Sequence, residues 1–145
     1  MRSGQTILLQ RLRRESGGAS AIEFAIVAPI FFILVFGIVV YGYYFGSLSL
    51  VHHIAYESAR ASVSGLTDDE RAVLAQARAD ELITALSTVL DADSIQVETA
   101  APTPGVYSVT VHYHFGLVQA MGGTSILPLP GADQSVTVSV SHGGY

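Results

Sequence analysis

The chain has 145 residues, half of them hydrophobic and 13% charged, with a net charge of -5. That length holds one small domain, and the charge content is well below the quarter or so found in soluble domains. There is no cysteine, which excludes disulfides, thiolate-ligated metals and a cysteine-linked lipid anchor; lysine is absent too.

The charge is unevenly divided along the chain. Arg2, Arg11, Arg13 and Arg14 against Glu15 leave the N-terminal stretch at +3, whereas Arg60, Arg71 and Arg78 face ten acids between Glu57 and Asp133. A basic head on an acidic body argues against nucleic acid as a partner of the body. Between Phe24 and Tyr56 there is no Asp, Glu, Lys or Arg. The most apolar part, Phe24 to Phe45, is 22 residues, about 33 Å as a helix, enough to span a hydrocarbon core of about 30 Å. Cleavable secretory signals have apolar regions of only about 7–15 residues. This run instead ends in Tyr41, Tyr43, Tyr44 and Phe45, which reads as an aromatic belt at the far interface. The preceding arginines place the N-terminus in the cytoplasm by the positive-inside rule, so the body is expected to be exported. Pro29 is a candidate kink inside the span. Gly42 and Gly46 form a G-x-x-x-G pair, a candidate helix-packing face that chance also supplies.

Helical spacing continues through Leu50, Val51, Ile54, Ala55, Ala59 and Ala61 to a stop at Gly65. A second helix follows, with Thr67 as N-cap, Glu70 as capping-box partner, and an apolar stripe of Val73, Leu74, Ala77, Glu81, Leu82, Ala85, Leu86, Val89 and Leu90. The pattern then turns to period two. Ile95, Val97 and Thr99, then Val109, Val111, Tyr113 and Phe115, then Val136, Val138 and Val140 each alternate with polar residues. They predict three half-buried strands, with Pro102, Pro104 and Gly105 making the first turn. The fold class expected is α+β: a long N-terminal transmembrane helix running into a small exported domain of one amphipathic helix and a three-stranded antiparallel sheet.

The stretch "GGASAIEFAIVAPIFFILVFGIVVYG" at Gly17–Gly42, followed by "AYESAR" at Ala55–Arg60, resembles the TadE-like family of minor pseudopilins from tight-adherence (Flp, type IVb) pilus systems. The matching features are Gly18, the small or apolar residues Ala19 to Ile22, Glu23–Phe24, Pro29, Gly37 and Gly42, and Ala59–Arg60. Family members often carry glycine where this chain has Ser58. The resemblance implies a pilin-like fold, and cleavage by a membrane prepilin peptidase between Gly18 and Ala19. The chain would then divide into a basic cytoplasmic leader (1–18), a membrane and membrane-proximal helix (19–65) and an exported domain (66–145). Implied partners are the peptidase, other pilin or pseudopilin subunits, the Tad assembly machinery and the lipid bilayer. No cofactor and no catalytic activity are implied.

Glu23 has a physical reading beside the family one. Cleavage would remove the leading arginines and create an amine on Ala19, four residues before Glu23 and therefore beside it on a helix. An ammonium next to a carboxylate at the membrane edge is cheaper than either alone, since an unpaired charge at the bilayer centre costs roughly 2.5–3.5 kcal/mol on insertion scales. The resemblance implies a neighbouring subunit's amine as the partner, making Glu23 a register device. The plain alternative is a glutamate snorkelling to the interface.

Other chemistry is thinly supported. His112 and His114 share a strand face and invite a metal reading, but fit the solvent face of a strand whose other side is Val, Val, Tyr and Phe. His52 and His53 diverge on a helix and cannot easily chelate together. The Ser-rich stretch 135–141 has no base with an orienting acid. Asp68, Asp69 and Glu70 read as a helix start, without the alternating spacing of a calcium loop. The connection 116–133, "GLVQAMGGTSILPLPGAD", is long and apolar. Leu117, Val118, Met121, Ile126, Leu127 and Leu129 form either a partner-binding patch or a cover over the sheet. Three functions were weighed: a processed pseudopilin, an uncleaved signal-anchored envelope protein with a binding domain, and an anchored metal hydrolase resting on the two histidines.

Overall fold

Few residues in the first third of the chain oppose a helix, and α1 runs Ser3–Ser62, continuing through Pro29. The computed structural model describes residues 3–116 and 131–141, with side chains described from residue 18 onward. The chain divides into two units, Met1–Val39 and Val40–Tyr145. In the first, large apolar side chains are exposed on every side of the helix, among them Phe24, Ile30, Phe32, Phe36 and Val39. A helix that is apolar all round requires an apolar medium around it. Among the described residues one helical stretch, Gly18–Ser62, is long and apolar enough to cross a membrane.

In the second unit the same helix becomes one-sided. Val40, Tyr44, Ser47, Val51, Ile54, Ser58 and Ser62 are buried at steps of three or four residues, with Ala55 and Ala59 beside them. His52, His53 and Tyr56 stay outside. After Ser62 the chain turns sharply, the Gly65 amide donating to the Ser62 carbonyl at 3.1 Å. A Cβ on Gly65 would lie 2.8 Å from both the Arg71 backbone nitrogen and its Cγ, so only glycine lets the turn approach the next helix this closely.

That helix, α2, spans Asp68–Leu86. The predicted capping box is present: the Glu70 amide donates to the Thr67 hydroxyl at 3.2 Å, and the Glu70 carboxylate accepts from the Thr67 amide at 3.3 Å. The buried face differs from the predicted stripe. Arg71, Ala75 and Ala79 are buried, Leu82, Ile83 and Leu86 pack on the core at part burial, and Val73 is 68% exposed. Periodicity counted apolar bulk, whereas the packing selects the alanines, whose small side chains admit close approach. Arg71 enters this face because Asp68 holds its guanidinium at 3.0 Å.

A short 3-10 turn, Ala92–Ser94, leads into β1 (Ile95–Thr103), which pairs antiparallel with β2 (Val106–His114), itself paired antiparallel with β3 (Asp133–Ser141) in the order β1-β2-β3. The predicted first turn is shorter than expected: Pro104 and Gly105 alone make it, with Gly105 at φ 82°, the Pro-then-Gly order of a type II turn. Pro102 belongs to β1, where the register shifts between Ala100 and Thr103; this irregularity tolerates a residue without an N–H. Tyr107, Val109, Val111, Tyr113 and Phe115 line the inner face and form the core with α1, Ala75, Ala79 and Leu90. β3 pairs with β2 without interruption from Val106↔Ser141 to His114↔Asp133, and its opposite edge pairs with no strand among the described residues.

The two faces of α2 are separable by mutation. Ala75→Leu should overpack the core and destabilise the full chain by about 1–3 kcal/mol, whereas Val73→Ala should stay within about 0.5 kcal/mol. Denaturant midpoints in detergent check both; equal costs would mean that the buried face has been misplaced.

Candidate functional site

The residues singled out at the start of the apolar run all lie on α1. Gly18 and Ala19 are helical and exposed, and a Cβ built on Gly18 meets no atom within 4 Å. Ala19 and Glu23 stand one turn apart on the same face. Glu23 is exposed, and among the described residues it makes no ion pair. Phe24 is 71% exposed. A Cβ on Gly42 or Gly46 would meet no atom within 4 Å, so among the described residues the G-x-x-x-G face is open.

The aromatic cluster at Tyr41–Phe45 does not form a simple belt. Tyr44 is buried against Phe115, with ring centroids 4.6 Å apart, and Phe115 meets Tyr113 edge-on at 4.4 Å. Burial, followed by a hydrogen bond with Tyr43, pushes the Tyr113 phenol above its ordinary pKa. Phe45 alone of this group stays largely outside. Helical phase explains the correction: Tyr44 falls on the Val40–Val51 stripe and Phe45 is rotated about 100° from it. Each aromatic pair of this kind adds roughly 0.5–1.5 kcal/mol beyond its buried area.

Further along, Glu57 of α1 accepts from Arg78 of α2 at 3.2 Å, and Arg78 also reaches Glu81 at 2.8 Å. The two carboxylates, Glu81 first, raise the Arg78 pKa. No sequence rule joins residues 21 positions apart; the only hint was that Arg78 is one of two cations on a helix facing many acids. Elsewhere in the body the hydroxyls of Ser47, Ser58 and Tyr107 are buried and make no hydrogen bond among the described residues.

The outer face of the sheet carries the histidines, as their alternation predicts. His112 contacts Glu98 across to β1 at 3.5 Å, and His114 Nδ1 lies 2.6 Å from the Asp133 carboxylate on β3. They border a shallow depression of about 660 Å³ with Gln96 and Ser135. Among the described residues no group of three or more His, Cys, Asp or Glu side chains is placed to hold a metal ion. His112 and His114 each engage a carboxylate instead, in opposite directions across the sheet. Leu117, Val118, Met121, Ile126, Leu127 and Leu129 lie outside the described residues.

Comparison with known proteins gives one family: residues 18–60 match the TadE-like protein family. That range begins at Gly18 and ends at Arg60, enclosing Glu23, Pro29 and Glu57. No curated protein and no solved structure matches the chain.

Because both partners of the Glu57–Arg78 pair are about one-third exposed, at 29% and 34%, the pair should contribute modestly. Glu57→Gln should lower the stability of the full chain by no more than about 1 kcal/mol, with the loss shrinking at high salt. A salt-independent loss of several kcal/mol would show a packing role instead.

Proposed function

From the match of residues 18–60 to the TadE-like protein family, we propose a minor pseudopilin that serves assembly of a tight-adherence (Flp, type IVb) pilus. It crosses the cytoplasmic membrane once, with its N-terminus inside and its α+β body exported. A prepilin peptidase cuts it between Gly18 and Ala19. The mature helix then associates with other pilin subunits and with the Tad assembly machinery, and the protein performs no catalysis.

One observation carries this reading. Glu23, a carboxylate at the entrance to an apolar helix, has no ion-pair partner among the described residues of its own chain. Burying such a charge unpaired is costly, and a partner must come from processing or from a neighbour. The amine of a mature Ala19, on the same chain or on the next subunit, meets that need. The exposed Gly42 and Gly46 add a surface on which another helix can pack closely.

A second reading has a specific observation in its favour. Residues 17–19 are helical within α1, and proteases bind their substrates extended, so an intact signal-anchored protein with a binding domain is the rival. Two adjacent glycines lower the cost of opening that turn, each being about 1 kcal/mol less favourable than alanine in a helix. The mature N-terminus decides between the two: Ala19 for the pseudopilin, Met1 for the anchored protein.

Gly18→Val should leave a full-length, membrane-inserted precursor, seen as a slower band on gels and confirmed by N-terminal sequencing. Wild-type protein retaining Arg11 to Arg14 in piliated cells would sink the processing claim. Glu23→Gln should still be cleaved and inserted, since the amide makes the span more apolar. What it should lose is crosslinking from the Ala19–Ala25 region to other subunits. Undiminished crosslinking and normal piliation would reduce Glu23 to a spectator, and loss of cleavage would make it a feature that the peptidase reads.

A further inference from the structure

α2 carries more apolar surface than the core uses. Its inner face is spent on Ala75, Ala79, Leu82, Ile83 and Leu86. A second apolar surface remains outside, at the corner where α1 turns into α2. Leu66 is 86% exposed, Val73 68%, Val63 48% and Leu74 38%. Val73 and Leu74 line a groove of about 430 Å³, together with Ser64, Gly65, Asp69 and Glu70, and Leu66 and Val63 are exposed in the turn that leads to it. That turn is fixed, because the close approach of Gly65 to Arg71 holds it against the helix. Exposing apolar side chains together on a body with few charges is a liability unless something covers them.

We propose that this corner is a docking surface for a basic, apolar segment of another exported protein. Its apolar anchors would seat between Leu66 and Val73, and its Lys or Arg side chains would meet the acidic border. Charge selects this occupant. Asp69 forms no ion pair among the described residues, and the Glu70 carboxylate accepts from the Leu66 and Thr67 amides without a cation beside it. Among the described residues no cation lines the groove. A second copy of the chain is a poorer fit. A symmetric contact would set Asp69 and Glu70 against themselves. Of the three arginines after the apolar run, Arg71 and Arg78 are already held by carboxylates, so a second copy would bring one arginine, Arg60, against two acids. An anionic lipid surface is repelled by the same border. The surface belongs to the body alone, so the proposal stands whether or not the leader is removed.

Photocrosslinking in the producing cell tests it, with p-benzoylphenylalanine in place of Leu66 in the full-length chain. Irradiation should give an adduct whose crosslinked peptide, sequenced by mass spectrometry, belongs to another exported protein and is apolar with flanking Lys or Arg. Val73→Asp and Asp69→Arg, introduced separately, should each reduce that adduct about tenfold. Both positions are exposed, so the chain should stay folded in detergent; Asp69→Arg, which removes an acid from the first turn of α2, should lower the melting temperature by a few degrees at most. An adduct with a second copy, with lipid, or with an acidic segment would overturn the proposal. So would no adduct, or an adduct indifferent to Asp69→Arg. N-terminal sequencing of the same sample reads processing separately, so failure of one claim is distinguishable from failure of the other.

Discussion

One helix has to satisfy two media. From Phe24 to Val39 large apolar side chains of α1 are exposed in every direction, and from Val40 one stripe is buried. The backbone hydrogen bonds of a helix are internal, so the same conformation is admissible in lipid and in water. Only the side chains need to change. They do so within one turn: Val39 is exposed, Val40 and Tyr44 are core, and Phe45 is exposed again. Tyr44 and Phe115 therefore do more than fill space. Their contact fixes where along α1 the body begins.

The rest of the body follows from how closely its parts approach that stripe. Ser47, Ala55, Ser58, Ala59 and Ser62 keep the helix surface low where it meets the core, and Ala75 and Ala79 do the same on α2. Gly65 permits the turn between them. Glu57 and Arg78 then join the two helices by charge at a position where bulk is absent. Small residues carry a cost here, since the Ser47 and Ser58 hydroxyls are buried without partners among the described residues. An unmet hydroxyl costs roughly 1–3 kcal/mol, so close packing is bought with polar strain.

Much of this was legible in the residues. The apolar run, the Thr67–Glu70 capping box and the three period-two strands are local signals with a single physical reading each, and they appear as expected. The buried face of α2 was misread because hydrophobic periodicity weighs Val73 above Ala75, and only the shape of the opposing surface reverses that order. Tyr44 was misread for a related reason: a membrane belt and a core anchor have the same composition, and helical phase separates them only when the neighbour is known. The Glu57–Arg78 pair was invisible because sequence separation hides it. At the candidate site Glu23 is conspicuous in the residues themselves, as an acid at the mouth of an apolar run, whereas Gly18, Ala19 and Phe24 are singled out by the family resemblance.

The two edges of the sheet are differently defended. β1 carries Glu98, a register irregularity and Pro102, three devices that discourage a further strand from adding. β3 has neither proline nor irregularity, its register is unbroken, and its one charge, Asp133, sits at its first residue. Among the described residues that edge is unpaired, and an open edge of this kind is where a further strand can add. A lysine placed on the outer face of β3, at Thr137 or Ser139, supplies the missing guard.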